Sequence, residues 1–123
     1  MAPQTAGGTV ADGCLFCAIV AGEVLSTKVH ETARTYAFRD LNPWAPTHVL
    51  VVPKDHFADL AALAAADPAY LGEVFAAAGE VAELERLTGG HRIIANTGPD
   101  SGQTVFHLHV HVLGGKNLGA LAG

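Results

Sequence analysis

The segment GQTVFHLHVHVLGG, residues 102–115, has a histidine at every second position, namely His107, His109 and His111. The residues around them are apolar and include three valines, which is typical of a β-strand. Residues two apart in a strand point to the same face and stand roughly 6.5–7 Å apart. We therefore predict a strand over about residues 105–113 with three imidazoles on one face. The opposite face, which should pack on the core, consists of Phe106, Leu108, Val110 and Val112.

A row of imidazoles suits phosphoryl transfer. The ordinary pKa of imidazole is about 6.5, so near neutral pH the ring can be a nucleophile or a proton donor. One histidine can then attack phosphorus while its neighbour donates a proton to the leaving atom. Two other interpretations are a solvated strand face and a metal site in which the H-x-H pattern binds an ion. Solvated faces more often carry Thr, Lys or Glu, so we favour a reactive site.

The loop NTGPDSGQT, residues 96–104, directly precedes the histidines. Its glycines allow backbone N–H groups to approach an anion closely, and Gln103 and Thr104 add side-chain donors. An ordinary strand connection would explain such a loop by itself. Its position before the histidine row instead indicates an anion-binding loop.

The other segments predict an α+β fold with an antiparallel sheet. A short helix is expected over 14–21, with Asp12 as its N-cap, and a long one over 68–88. Residues 55–66 are expected to form a helical turn and a loop. Strands outnumber helices and do not alternate regularly with them, which disfavours a doubly wound fold. The remaining predicted strands are 26–31, 35–41, 48–53 and 91–96.

Composition limits the class of protein. The 123 residues fit one domain, and half of them are hydrophobic. The formal net charge is -5 without a Lys/Arg cluster, so a nucleic-acid polymer is not an expected partner. The sequence contains no run of about 18 apolar residues, so we predict no membrane span. Residues 1–12 lack the features of a secretory signal and are interpreted as a flexible leader before a domain at 13–123, in a cytoplasmic protein.

Three segments resemble the histidine triad (HIT) nucleotide-binding proteins, in the Hint-like branch. They are CLFCAIVAGEV at 14–24, APTHVLVVPKDH at 45–56 and IIANTGPDSGQTVFHLHVHVLGG at 93–115. The triad pattern of that family is histidine, apolar, histidine, apolar, histidine and two apolar residues. Residues 107–113 match it throughout, and the resemblance extends over about residues 13–115.

The resemblance implies a five-stranded antiparallel sheet with two helices, and a homodimer whose sheets join into ten strands. The helix at 68–88 and the strand at 91–96 would lie at that interface. The implied activity is cleavage of purine nucleoside phosphoramidates or related conjugates, with release of AMP or GMP. One alternative is a zinc- or nucleotide-binding regulatory module with incidental turnover. Another is a diadenosine polyphosphate hydrolase or phosphorylase, although such relatives often have glutamine where His111 stands.

The resemblance also assigns roles by position. His109 would be the nucleophile that forms a nucleotidyl-histidine, and His111 would contact the phosphate and assist the leaving group. His107 would orient His109 or serve a metal. Thr104 stands where Hint-like proteins usually have serine, and its methyl group crowds the leaving group. The positions that match nucleotide-binding residues are Asp40 and Leu41 for the ribose, Asn96, Gly102, Gln103 and Thr104 for the phosphate, and Leu15, Phe16, Ile19, Val24 and Phe38 for the base.

The two cysteines form a C-x-x-C pair. In a reducing compartment such a pair is more often a metal half-site or two plain thiols than a structural disulfide. Several bacterial relatives bind zinc with C-x-x-C and two histidines, and Cys₂His₂ is a common tetrahedral set. The resemblance therefore implies structural zinc, without a catalytic metal or organic cofactor, and the matching positions are Cys14, Cys17, His48 and His107. The alternative is two buried thiols that pack as small hydrophobic side chains.

Overall fold

The computed structural model describes residues 13–120, so the predicted leader at 1–12 lies outside the described residues. The strands are Lys28–Glu31 (β1), Thr35–Arg39 (β2), Thr47–Pro53 (β3), His91–Ala95 (β4) and Val110–Gly114 (β5). The helices are Leu15–Val20 (α1), Leu60–Ala66 (α2) and Pro68–Leu84 (α3), with a 3₁₀ turn at Pro99–Ser101. The strands form one antiparallel sheet in the order β1-β2-β3-β5-β4, which confirms the predicted fold class. The short α2 replaces the predicted helical turn and adds a third α-helix to the two that the resemblance implies.

Strand β3 is the centre of the sheet, and all seven of its residues are buried. Val49 and Val51 face the core under α3. Leu50 and Val52 face a second apolar cluster that includes Phe16 of α1. Because helices cover both faces here, the strand is apolar from Val49 to Pro53 rather than alternating.

Helix α3 begins as predicted and ends earlier. The Asp67 carboxylate accepts a hydrogen bond from the Tyr70 amide at 3.1 Å, and Pro68 occupies the first turn. The helix stops at Leu84 rather than at residue 88, because Arg86 adopts a left-handed backbone with φ of 57°. The predicted end was wrong because the sequence signal of Gly89 and Gly90 lies one turn further on.

The histidine strand is shorter than predicted. Strand β5 begins at Val110, so the three residues from His107 to His109 precede it in irregular backbone. The Leu108 amide donates instead to the Phe57 carbonyl at 2.7 Å, which lies outside the sheet. Leu108 is nevertheless fully buried. Phe106 is 49% exposed, so the prediction that Phe106 packs on the core was wrong.

Helix α1 is capped by Cys14 rather than by Asp12, which lies outside the described residues. The Cys14 sulfur accepts a hydrogen bond from the Cys17 amide at 3.3 Å. Both thiols lie beside His107, where the histidine row begins. No helix within residues 13–120 has the length and apolar character needed to cross a lipid bilayer.

Candidate active site

The three histidines of the row lie beside one another. The His109 and His111 ring centroids are 5.1 Å apart. The ring of Phe16, in α1, meets both His107 and His109 in edge contacts, at 6.0 and 5.1 Å. The three imidazoles therefore lie on one side of the chain, as predicted from their alternating positions, although only His111 is in a regular strand.

His109 is held in one tautomer by the backbone. Its Nδ1–H donates to the His107 carbonyl oxygen at 2.8 Å, which leaves Nε2 with a free lone pair. Burial lowers the pKa of His109, although this hydrogen bond and the nearby Asp40 carboxylate oppose the effect. A neutral imidazole with an exposed lone pair is the form required of a nucleophile.

A chain of hydrogen bonds sets the tautomer of His111. The Trp44 backbone N–H donates to His48 Nδ1 at 3.1 Å, so neutral His48 carries its proton on Nε2. That Nε2 lies 2.9 Å from His111 Nδ1, which must accept. His111 therefore carries its own proton on Nε2. Burial lowers the pKa of both rings, which favours this neutral arrangement.

The Nε2 atom of His111 is the one buried side-chain nitrogen or oxygen without a hydrogen-bond partner within residues 13–120. Burial lowers the pKa of His111 to about 4; His109 and His48 add to this effect, and Asp40 opposes it. A buried N–H donor without a partner costs free energy. Its natural partner is an acceptor on a bound ligand, next to the lone pair of His109.

A second cluster joins the two cysteines to His107. The Nδ1 atom of His107 lies 3.4 Å from Cys14 Sγ and 3.5 Å from Cys17 Sγ. Cys17 Sγ also lies 3.4 Å from Nδ1 of His56. His107 Nε2 donates to the Pro53 carbonyl at 2.9 Å, so its Nδ1 lone pair faces the sulfurs. Burial lowers the pKa of His107 to about 4.

The fourth member of this cluster is His56, whereas the sequence-based assignment named His48. Strand β3 runs antiparallel to β5, and its register pairs His48 with Leu113, beyond the triad. The other end of β3, at Pro53, lies beside His107, and the chain then brings His56 to within 4.9 Å of the His107 ring. The antiparallel register would have selected His56 if it had been applied to the sequence.

The Cys14, Cys17, His56 and His107 set fits zinc. Its four candidate ligand atoms all lie within 4.8 Å of one another. In a tetrahedral site with usual Zn–S and Zn–N bond lengths, sulfur and nitrogen lie roughly 3.6 Å apart. The three sulfur–nitrogen distances of 3.4–3.5 Å match this spacing. The bond from His107 to a backbone carbonyl is the outer-shell contact usual for a zinc-bound histidine.

The glycine loop before the triad is shaped by Gln103. Its Oε1 accepts from the Gly98 amide at 2.8 Å, and its Nε2 donates to the carbonyls of Ala58 and Val105. Gln103 is buried, so its side chain holds the loop instead of offering the free donor expected from the sequence. Gly102 has a φ of 95°, which favours glycine at that position.

Thr104 is exposed at the mouth of a cavity of about 390 Å³. The cavity lies between the cysteine cluster and the segment that leads into the triad. Its lining consists of Gly13, Cys14, Leu15, His56, Thr104, Val105 and Phe106. The Thr104 side chain is therefore accessible to a ligand in this cavity.

The residues assigned to the base divide into two groups. Phe16, Ile19 and Phe38 are buried in the cluster under α1. Leu15 and Val24 are 48% and 39% exposed and could meet a ligand directly.

The residues assigned to the ribose and phosphate flank the sheet. Asp40 follows β2, and its Oδ2 lies 3.5 Å from His48 Nε2. Leu41 beside it is 91% exposed. Asn96 directly follows β4, whose last residue, Ala95, pairs with Val110. Both assigned polar groups thus lie near the histidine row.

Comparisons with known proteins point to one family. A family profile described as the HIT domain matches residues 21–118, which include all five strands and the three histidines. Protein HitA of Neisseria gonorrhoeae is 42% identical over 103 residues, 84% of this chain and 96% of that protein. The 14 kDa zinc-binding protein of Zea mays is 42% identical over 106 residues, 85% of this chain and 83% of that protein. The structure of a HIT family hydrolase from Clostridium thermocellum matches with a TM-score of 0.88 at 40% identity, covering 93% of this chain and 100% of that one.

Proposed function

Since this chain belongs to the HIT domain family, we propose that it is a nucleotide hydrolase that cleaves purine nucleoside phosphoramidates or related nucleoside monophosphate conjugates. The product would be AMP or GMP, released through a nucleotidyl-histidine intermediate. One observation carries the proposal: a neutral His109 with a free Nε2 lies beside a buried His111 Nε2–H without a partner.

The chemistry follows from these two nitrogens. The lone pair of His109 Nε2 attacks the α-phosphorus as the bond from phosphorus to the leaving amine breaks. The His107 carbonyl, which accepts from His109 Nδ1, stabilises the positive charge that the attacking ring develops. Water then attacks the phosphorus and loses a proton to the solvent, the bond to His109 breaks with its electron pair returning to Nε2, and the nucleotide is released.

His111 would interact with the phosphate and the leaving group. Its Nε2–H can donate a hydrogen bond to an oxygen or nitrogen bound to phosphorus, where negative charge increases in the transition state. This hydrogen bond assists departure of the amine, which takes its proton from the solvent, so His111 stays neutral and continues to accept from His48. The hydrogen bond from His48 keeps the donor nitrogen on the side of the substrate.

The nucleotide would lie across the row. We assign the ribose hydroxyls to Asp40, with Leu41 beside it, and the base to the apolar surface around Leu15 and Val24. The phosphate would contact the loop around Gly102. Gln103 stabilises this loop by accepting a hydrogen bond from the Gly98 amide. The further assigned contacts are Asn96 and Thr104 for the phosphate and Phe16, Ile19 and Phe38 for the base.

A zinc ion would be structural. Cys14, Cys17, His56 and His107 would hold it, which would tie α1 to the segment that leads into His109. Bound zinc supplies a rigid cross-link there, and the triad chemistry takes place at other nitrogens. The zinc-binding name of the Zea mays relative supports this assignment.

We also propose a homodimer in the cytoplasm. Strand β4 is at the edge of the sheet and exposes Ile93, so a second copy could extend the sheet there. A reducing compartment would keep the C-x-x-C thiols available to a metal ion.

Release of AMP from adenosine 5′-phosphoramidate tests the proposal. We expect turnover by the wild-type protein, loss of it in His109→Ala, and near-normal turnover in His30→Ala, whose ring bonds Glu80 at the opposite sheet edge. A wild-type protein that binds AMP without cleaving the phosphoramidate would instead support a binding module. Preferred cleavage of diadenosine tetraphosphate would support a diadenosine polyphosphate hydrolase or phosphorylase.

A further inference from the structure

Trp44 is the only tryptophan of the chain and covers the outer end of the histidine row. Its indole stacks on the His111 ring, with centroids 4.8 Å apart and an interplanar angle of 18°. It also lies 4.7 Å from the His48 ring. The indole is nevertheless 57% exposed. An exposed aromatic ring that packs on two buried histidines is not explained by the hydrophobic core.

We propose that Trp44 is a positioning residue, whose indole fixes the plane of His111 and keeps water from the His48–His111 hydrogen bond. The inference rests on the proposed function, because the direction of His111 Nε2–H matters only if that hydrogen meets a substrate. It adds a residue to the site that neither the triad pattern nor the assigned nucleotide contacts include.

The imidazole ring of His111 needs a restraint on its plane. The terminal torsion of histidine is broad, so packing rather than intrinsic preference sets the ring plane. The bond from His48 restrains one atom of His111, Nδ1, at 2.9 Å. On the opposite edge, Nε2 has no partner within residues 13–120. A flat surface against the ring face supplies the missing restraint, and the nearly parallel indole is such a surface.

The indole also controls the water that reaches the pair. The titratable groups that face His111 are His48, His109 and the Asp40 carboxylate. Hydration favours protonated imidazole, which would place a proton on His111 Nδ1 against the proton on His48 Nε2. Loss of the indole would therefore admit water to the pair. The His48–His111 hydrogen bond would then break at a higher pH than in the intact protein.

Steady-state kinetics on adenosine 5′-phosphoramidate test the role in the reaction. We expect Trp44→Ala to lower kcat between about 10-fold and 100-fold, the range of a mispositioned group, with little change in KM. The acidic limb of its pH–rate profile should move toward neutral pH. Trp44→Phe retains a flat ring and should recover most of kcat, whereas Trp44→Leu should not. Leu25→Ala, which truncates an exposed apolar side chain outside the site and the proposed dimer interface, is the control.

A second measurement does not depend on turnover. Acrylamide quenching of the single tryptophan should increase in His111→Ala, which removes the stacked ring, and stay unchanged in His30→Ala. Nitrogen chemical shifts of His111 should show protonation at a higher pH in Trp44→Ala than in the wild type. These results would support the contact even if the phosphoramidate were not a substrate. Equal quenching in both histidine variants, or an unchanged kcat and pH limb in Trp44→Ala and Trp44→Leu, would overturn the proposal.

Discussion

Acid should destabilise the protein through His111, and the size of the effect follows from its environment. Burial lowers the pKa of His111 from 6.5 to about 4. Between these two values the unfolded chain binds a proton that the folded chain does not. The stabilising contribution is therefore complete above about pH 6.5 and decreases as the pH falls toward 4.

The magnitude is large relative to the usual stability of a small domain. A shift of this size corresponds to about 3 kcal/mol in total, of which about 2 kcal/mol would be lost by pH 5. Other buried histidines of the site shift in the same direction, so the wild-type protein should lose more than this from all of them together. A comparison with a variant isolates the part that belongs to His111.

His111→Asn is the suitable variant, because its amide oxygen can accept from His48 where Nδ1 did, and it does not titrate. Urea unfolding of both proteins at pH 7.5 and pH 5 gives the free energy of unfolding in each case. We expect the wild type to lose about 2 kcal/mol more than the variant between these two pH values. Equal losses in the two proteins would refute the argument, since they would mean that His111 is not kept neutral by the fold.

Three further predictions concern the metal cluster, the loop and the core. Zinc content measured by mass spectrometry should fall to near zero in His56→Ala and remain at wild-type level in His48→Ala; the reverse would restore the assignment made from sequence. Gln103→Ala removes the three part-buried hydrogen bonds to the backbone of Gly98, Ala58 and Val105 and should lower the free energy of unfolding by about 1–3 kcal/mol, which thermal and urea melts would detect. Leu108→Ala opens a cavity beneath the triad and should cost about 2–5 kcal/mol; a cost under 1 kcal/mol would mean that the site collapses around it.

The sequence predicted the sheet well because its strands carry local signals. The apolar run at β3 is buried on both faces as expected, and each predicted strand is present with modest differences in length. The largest difference is β5, where strand formation stops at Val110. The pairing with both neighbours starts there: Val110 pairs with Val51 and with Ala95, the last residue of β4, whereas β3 continues to Pro53 paired only with β2. The point at which a strand begins depends on where its partner strands can pair with it. The alternating pattern of one segment carries no information about those partners.

The site was predictable in part for the same reason. The alternating pattern placed His107, His109 and His111 together, but it could not show which distant residues meet each ring. His56 joins His107 only because β3 runs antiparallel to β5, and His48 reaches His111 at the other end of the same pair. The stacking of Trp44 depends on the path of a proline-containing loop, for which the sequence has no periodic signal.

The central claim is that phosphorus passes to the free Nε2 of His109. The most direct test is to quench a reaction with adenosine 5′-phosphoramidate within one turnover and to locate the adduct by peptide mass spectrometry. We expect an adenylyl group on His109, absent from His109→Ala and retained at a higher level when hydrolysis is slowed. Turnover with the adduct on another residue, or full AMP release by His109→Ala, would contradict it.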